Sequence, residues 1–168
     1  MTFSHQRAAT LLEQLTLTLL LTIVGVYAAP SFNRWIEINR QQSLQDKLFH
    51  HLQSARSRAV LQGQTIEVCA SSDGKQCDDA WHKGWILRYP DTEEVLAVEK
   101  SEQPNAALHW NGYRNRLLFR RNGQTPSSNG RFYLCHDNNV MWQLVISRSG
   151  RVRHTSATEN MAEAYRCS

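Results

Sequence analysis

Ala8-Ala9-Thr10-Leu11-Leu12-Glu13-Gln14-Leu15 opens a run that continues, nearly all apolar or Thr, to Ala29-Pro30. Between Glu13 and Arg34 the chain carries no charge. About 20 such residues suffice to cross a bilayer as a helix. Two ordinary readings compete, a cleaved secretory signal peptide and a membrane anchor. A signal peptide asks for small residues after the apolar run, and Tyr27-Ala28-Ala29-Pro30 meets that demand only fairly. Neither reading accounts for Glu13. A carboxylate at the edge of an apolar span is expensive to bury unless it has a partner.

The same stretch resembles the type IV prepilin signature, in which a short basic leader ends in a small residue and the peptidase cuts after it. The resemblance implies a leader of residues 1–8, with Arg7 held on the cytoplasmic side. Prepilin peptidase would cut between Ala8 and Ala9. Here Ala8 replaces the usual Gly, and Ala9 the usual Phe or Met. Glu13 then falls four residues beyond the new N-terminus, and Pro30 about two-thirds through the apolar helix, as in that family. The physics agrees with the pattern. A free α-amine at Ala9 can pair with Glu13 of a neighbouring subunit, offsetting the cost of burying either charge alone. Pro30 removes one helix hydrogen bond and permits a kink. Residues 9–35 are thus expected in inner-membrane lipid or among other pilins in a filament. Residues 36–168 are expected to form a globular domain in the periplasm, exported in the pilus at the cell surface.

Beyond Pro30, Leu44, Leu48, Leu52, Ala55 and Ala59 recur at helical spacing and mark one buried face. Gly63 is a natural stop. A helix from Ala9 to Leu61 would be about 80 Å long. From Gln64 onward the pattern is β, with strands expected at 65–69, 84–89, 94–99, 107–110, 116–120, 131–136, 141–147 and 151–154. Asp137-Asn138-Asn139 predicts a hairpin turn, and residues 122–130 the most flexible loop. Four cysteines without a Cys-x-x-Cys pair favour two disulfides over a metal site, which requires an oxidising compartment. Cys69 and Cys77 bracket a short loop of turn residues, so we pair them and leave Cys135 to Cys167. The fold class is α+β.

The globular part resembles the GspH/FimT group of minor pilins and pseudopilins. The resemblance rests on Ala55-Arg56-Ser57-Arg58-Ala59, the strand ending in Cys69, the Ser-Ser-Asp-Gly loop to Cys77, Gly84-Trp85-Ile86, and Ser149-Gly150-Arg151-Val152-Arg153. It implies a long helix packed on a β domain of two sheets; strand order does not follow from periodicity.

Charge is unevenly spread. Residues 62–108 carry a net −5, whereas residues 109–168 hold nine arginines, no lysine and three acids. Arg presents a planar fork suited to phosphate. The seven histidines show no metal-ligand spacing, and no phosphate loop or nucleophile motif occurs. Neither an enzyme, a metal nor a cofactor is expected. In FimT-type pilins a Gly-Arg-x-Arg motif is taken to contact DNA, and Gly150-Arg151-Val152-Arg153 resembles it. On a strand Arg151 and Arg153 leave the same side, and Gly150 would let a DNA backbone approach closely. Arg148 and Arg131 would widen the patch; Arg114, Arg116, Arg120 and Arg121 would extend it if the fold brings them near. Trp142 or Tyr165 could stack on bases, whereas Trp85 reads as packing. The implied function is sequence-independent capture of DNA for natural transformation. The alternative is a structural minor pilin or secretion pseudopilin that primes or caps a filament, in which Arg151 and Arg153 pair with Glu159 and Glu163.

Overall fold

A computed structural model describes residues 10–101 and 107–167. The chain divides into two compact units, residues 1–42 and 43–168, and helix α1 (Leu11–Gln62) contributes to both. The Thr10 hydroxyl accepts from the Glu13 N–H at 3.3 Å and so caps the helix. In the first unit the apolar side chains from Leu11 to Val26 are exposed. By length and composition α1 can cross a membrane. Its threonines do not oppose that. The hydroxyls of Thr16, Thr18 and Thr22 donate to the carbonyls of Glu13, Leu15 and Leu19 at 2.9, 3.0 and 2.7 Å, so these polar groups are satisfied within the helix itself. The helix runs through Pro30 without a break. Ala8 and Ala9 lie outside the described residues.

In the second unit α1 presents Leu44, Leu48, Leu52, Ala55 and Ala59, all buried, to the core. Gly63, with φ +62°, follows its end; left-handed backbone there suits glycine and stops a helix. Among the described residues, eight strands then form two antiparallel sheets. The first has the order β3 (Val95–Lys100), β2 (Gly84–Arg88), β1 (Ile66–Ala70), β5 (Arg116–Phe119). The second has the order β4 (Ala107–Gly112), β6 (Gly130–His136), β7 (Asn139–Ile146), β8 (Val152–His154). Helix residues, Ile66, Val68, Trp85, Leu87, Leu117 and Phe119 of the first sheet, and Leu108, Phe132, Leu134, Trp142, Leu144 and Ile146 of the second share one core. The expected α+β class is thereby realised, with two sheets in the globular part. Asp137 and Asn138, both with positive φ, make the two-residue turn between β6 and β7.

Three findings depart from the strand pattern. The first concerns Glu67, which alternation would send to solvent. It is buried in β1 opposite Arg88 of β2 and accepts from Arg88 Nε at 2.6 Å and from Arg116 Nη1 at 3.1 Å. The second concerns residues 122–130, which are tied down rather than loose. Thr125 donates from N to the Arg148 carbonyl (2.9 Å) and from Oγ1 to that of Ser147 (2.8 Å). The buried Ser128 hydroxyl accepts from Leu118 N at 2.9 Å and donates to Leu118 O at 3.3 Å. Its side chain thus occupies both backbone groups of Leu118 in β5. The third is a C-terminal segment, α2 (Ala157–Ala162) and η1 (Ala164–Cys167), for which no element was expected. Cys69 is bonded to Cys77 and Cys135 to Cys167.

Candidate nucleic-acid interface

Two tight turns lie side by side in the second unit. The first follows β5 and is closed by Gly123 N to Arg120 O (2.7 Å) and Arg120 N to Gln124 O (2.9 Å). The second joins β7 to β8 and is closed by Gly150 N to Ser147 O (2.9 Å) and Ser147 N to Arg151 O (3.0 Å). Besides the two Thr125 bonds, contact is close enough that a Cβ on Gly150 would meet the Gly123 carbonyl oxygen at 1.9 Å. The Arg56 side chain, from the last turns of α1, lies against both glycines and donates from Nη2 to Ser149 O at 3.4 Å.

This arrangement corrects the expected role of Gly150. The residue is buried, and the backbone that approaches it is the chain's own, at Gly123, rather than a ligand's. The turns instead expose Arg120, Arg148 and Arg151, none of which has an ion-pair partner among the described residues. With Arg56 they make a basic cluster built from α1 and the two turns. Arg121 is exposed too, but it lines a shallow groove shared with Tyr89, Asp91 and Glu94.

The other expected arginines, Arg114 apart, are committed elsewhere. Arg151 and Arg153 flank the buried Val152 and leave the same face. Arg153, however, donates from Nη1 and Nη2 to the two oxygens of Glu159 at 3.1 and 2.9 Å. Arg131 donates to Gln143 Oε1 at 3.1 Å and to Glu163 Oε1 at 2.9 Å. Glu163 also bonds Arg166 and the Tyr165 hydroxyl. Of the expected pairings, Glu159 does take Arg153, but Glu163 takes Arg131 and not Arg151. Arg116 is held by Glu67; Arg114 is exposed, only its backbone carbonyl being engaged among the described residues, by Trp110 Nε1. Trp142 is buried in the core and is not available for stacking, whereas Tyr165 is exposed. Trp85 is fully buried.

The acids come from a segment that had a readable signal. Ser156-Ala157-Thr158-Glu159 is a capping box, with Glu159 N donating to Ser156 Oγ (3.2 Å) and Ser156 N to Glu159 Oε2 (2.9 Å). The Arg153 fork, then the Ser156 amide, lower the Glu159 carboxyl from its ordinary 4.5 to about 2. Because the folded value is depressed, its stabilising effect is complete above about pH 4.5 and is lost as pH falls towards 2. The protection factor of the Ser156 amide, taken relative to its intrinsic exchange rate at each pH, should therefore hold at pH 5 and fall as pH approaches 2; an unchanged protection factor at pH 2 would contradict the linkage. Glu163 is lowered as well, first by Arg166, then by Tyr165 and Arg131.

Glu67 also lies close to the sulfurs of Cys69 and Cys77. That trio is a poor metal site, because both sulfurs are spent in a disulfide and the carboxylate already accepts from two guanidinium groups.

Residues 45–150 match the family model described as type II transport protein GspH. Two crystal structures of the type IV minor pilin FimU from Pseudomonas aeruginosa (strain PAO1) are similar. In one crystal form the identity is 25%, with 70% of this chain and 94% of that chain covered and a TM-score of 0.55. In the other the identity is 27%, with 73% and 92% covered and a TM-score of 0.56. No curated protein sequence gives a match.

Proposed function

We propose that this chain, which belongs to the GspH family, is a minor pilin that binds DNA through the phosphates, by way of its paired basic turns. A minor pilin or pseudopilin of the GspH/FimT type is the premise; capture of DNA for natural transformation is the added reading. The observation that supports it is the cluster of Arg56, Arg120, Arg148 and Arg151, in which the three turn arginines are exposed and have no acidic partner among the described residues. Guanidinium groups held on stiff turns meet phosphates without reading bases, so binding should be indifferent to sequence and fall steeply with salt. In this reading residues 1–8 are the leader removed by prepilin peptidase and residues 9–35 the segment that sits in inner-membrane lipid. Glu13 and the amine of Ala9 then pair between subunits as other pilins assemble, and residues 36–168 face the periplasm and later the cell surface.

The test is fluorescence anisotropy of unrelated labelled duplexes with the full chain in neutral detergent. Arg148→Gln with Arg151→Gln is expected to weaken binding at least tenfold and to lower the salt slope by about two, since each phosphate contact contributes roughly 0.9. Arg153→Gln should weaken it less than threefold, because its fork is already occupied by Glu159. Exposed substitutions of this kind leave stability within about 0.5 kcal/mol. Equal losses for Arg151→Gln and Arg153→Gln would refute the assignment to the turns.

A second reading is favoured by the ion pairs of Arg131 and Arg153: a structural pilin whose arginines serve the fold and whose partners are only other pilins. Absence of any duplex binding at low salt would select it.

A further inference from the structure

The C-terminal segment is laid across one face of the second sheet and fixed there at several points. Asn160, buried, accepts from Gln143 Nε2 of β7 at 3.1 Å and from Thr155 Oγ1 at 2.6 Å, and donates to Met141 O at 3.2 Å. Cys167 is bonded to Cys135 of β6. On this face Arg131 of β6, Val145 of β7 and Arg153 of β8 stand in one cross-strand row. Adjacent strands lie about 4.8 Å apart, so the two arginines are roughly 10 Å apart at the backbone. The segment delivers one carboxylate to each, Glu159 to Arg153 and Glu163 to Arg131.

The geometry at Arg153 carries the argument. Two parallel N–H···O bonds to a planar pair of oxygens are the arrangement a guanidinium also adopts on a phosphate. An oxygen of a phosphodiester and an oxygen of Glu159 compete for the same two N–H groups. The pair is also half exposed, with side-chain accessibilities of 47% and 44%. Exposed ion pairs of this kind contribute little to stability, so exchanging the carboxylate for a phosphate is not opposed by a large folding term. Arg151, on the same side of the strand, is left open.

We infer that residues 155–167 act as an internal acidic mask, in which Glu159 and Glu163 occupy the Arg153 and Arg131 forks that would otherwise extend the phosphate-binding surface. This rests on the reading that the basic turns bind DNA, and it concerns the strength of that binding. The open turns make the first contacts; the masked row is recruited only when a polyanion displaces the two carboxylates.

The test uses the full chain in neutral detergent and an unrelated labelled DNA duplex across a salt series. Glu159→Gln with Glu163→Gln keeps the side-chain volumes, and Gln at residue 159 still accepts from the Ser156 N–H, so the capping box survives. The double variant is expected to bind at least fivefold more tightly at low salt, with a salt slope steeper by about one to two. The gain should vanish when Arg131→Gln and Arg153→Gln are added. Asp46→Asn with Asp79→Asn, two exposed acids away from this face, is the equal-charge control and should give less than a twofold gain. An equal gain in that control, or a gain that survives loss of both arginines, overturns the mask in favour of bulk charge. Unchanged affinity in a chain that still binds through Arg148 and Arg151 overturns the mask alone. If neither the parent nor any variant binds, the DNA reading falls and the mask falls with it. Should the double variant fail to fold, Glu159→Gln with and without Arg153→Gln decides the question by the same comparison.

Discussion

Glu67→Ala is expected to lower the unfolding free energy of the globular unit by about 3 kcal/mol, because it takes the close carboxylate from the buried Arg88 guanidinium and leaves it only the exposed Glu93, at 3.4 Å. Glu67 is 1% exposed and Arg88 7%, so water cannot replace the lost bond at 2.6 Å. Arg116, whose side chain is half exposed, can turn outward and adds little to the penalty. The pair sits directly across β1 and β2, between strands whose residues are all buried, and neither strand can shift to expose it. Denaturant titration followed by tryptophan fluorescence measures the loss. Replacing both partners, Glu67→Leu with Arg88→Met, should recover most of it, since a well-packed apolar pair removes the unpaired charge altogether. A Glu67→Ala protein within 1 kcal/mol of the parent would show that the ion pair does not hold the sheet.

Gly150→Ala should cost about 3–4 kcal/mol and, if the turns bind DNA as proposed, abolish that binding without touching any arginine. Two effects add. Holding a side chain at φ +76° costs about 1–2 kcal/mol. The new Cβ would also sit 1.9 Å from the Gly123 oxygen, so the turns must part and the Thr125 bonds to Arg148 and Ser147 are lost, at about 1 kcal/mol each. Gly123→Ala is the informative contrast. Its φ is equally positive, but the nearest atoms are the side chains of Val60 and Arg56, which can move. Only the backbone term of about 1–2 kcal/mol should remain. Equal melting temperatures for the two variants would show that the contact between turns is not what positions the arginines.

The helix and strands were legible because their burial follows simple periods. Leu44, Leu48, Leu52, Ala55 and Ala59 announce one face of α1, and all five are buried. The short ring of Cys69 and Cys77 could be read from turn residues between them. What could not be read depends on which strands become neighbours. Nothing near Gly150 in sequence says that Gly123 will press on it, so its freedom from a side chain looked like room for a ligand. The burial of Glu67 could not be read either, because alternation says which way a side chain points, not what covers it. The partners of the arginines were half visible. Glu159 follows Arg153 closely and its capping box is local, whereas the pairing of Glu163 with Arg131 depends on β6 and β7 lying together beneath the C-terminal segment.

The Ser128 hydroxyl on β5 has a bearing on life in a crowd. β5 is the outermost strand of its sheet, and the free rim of a sheet is a template on which foreign strands can zip up. By occupying the N–H and the C=O of Leu118 together, one side chain withdraws a donor and an acceptor from that template. Pilins meet one another at very high local concentration, where strand-by-strand fusion into aggregates is the standing hazard. A serine in the loop after β5 therefore blunts that rim at Leu118.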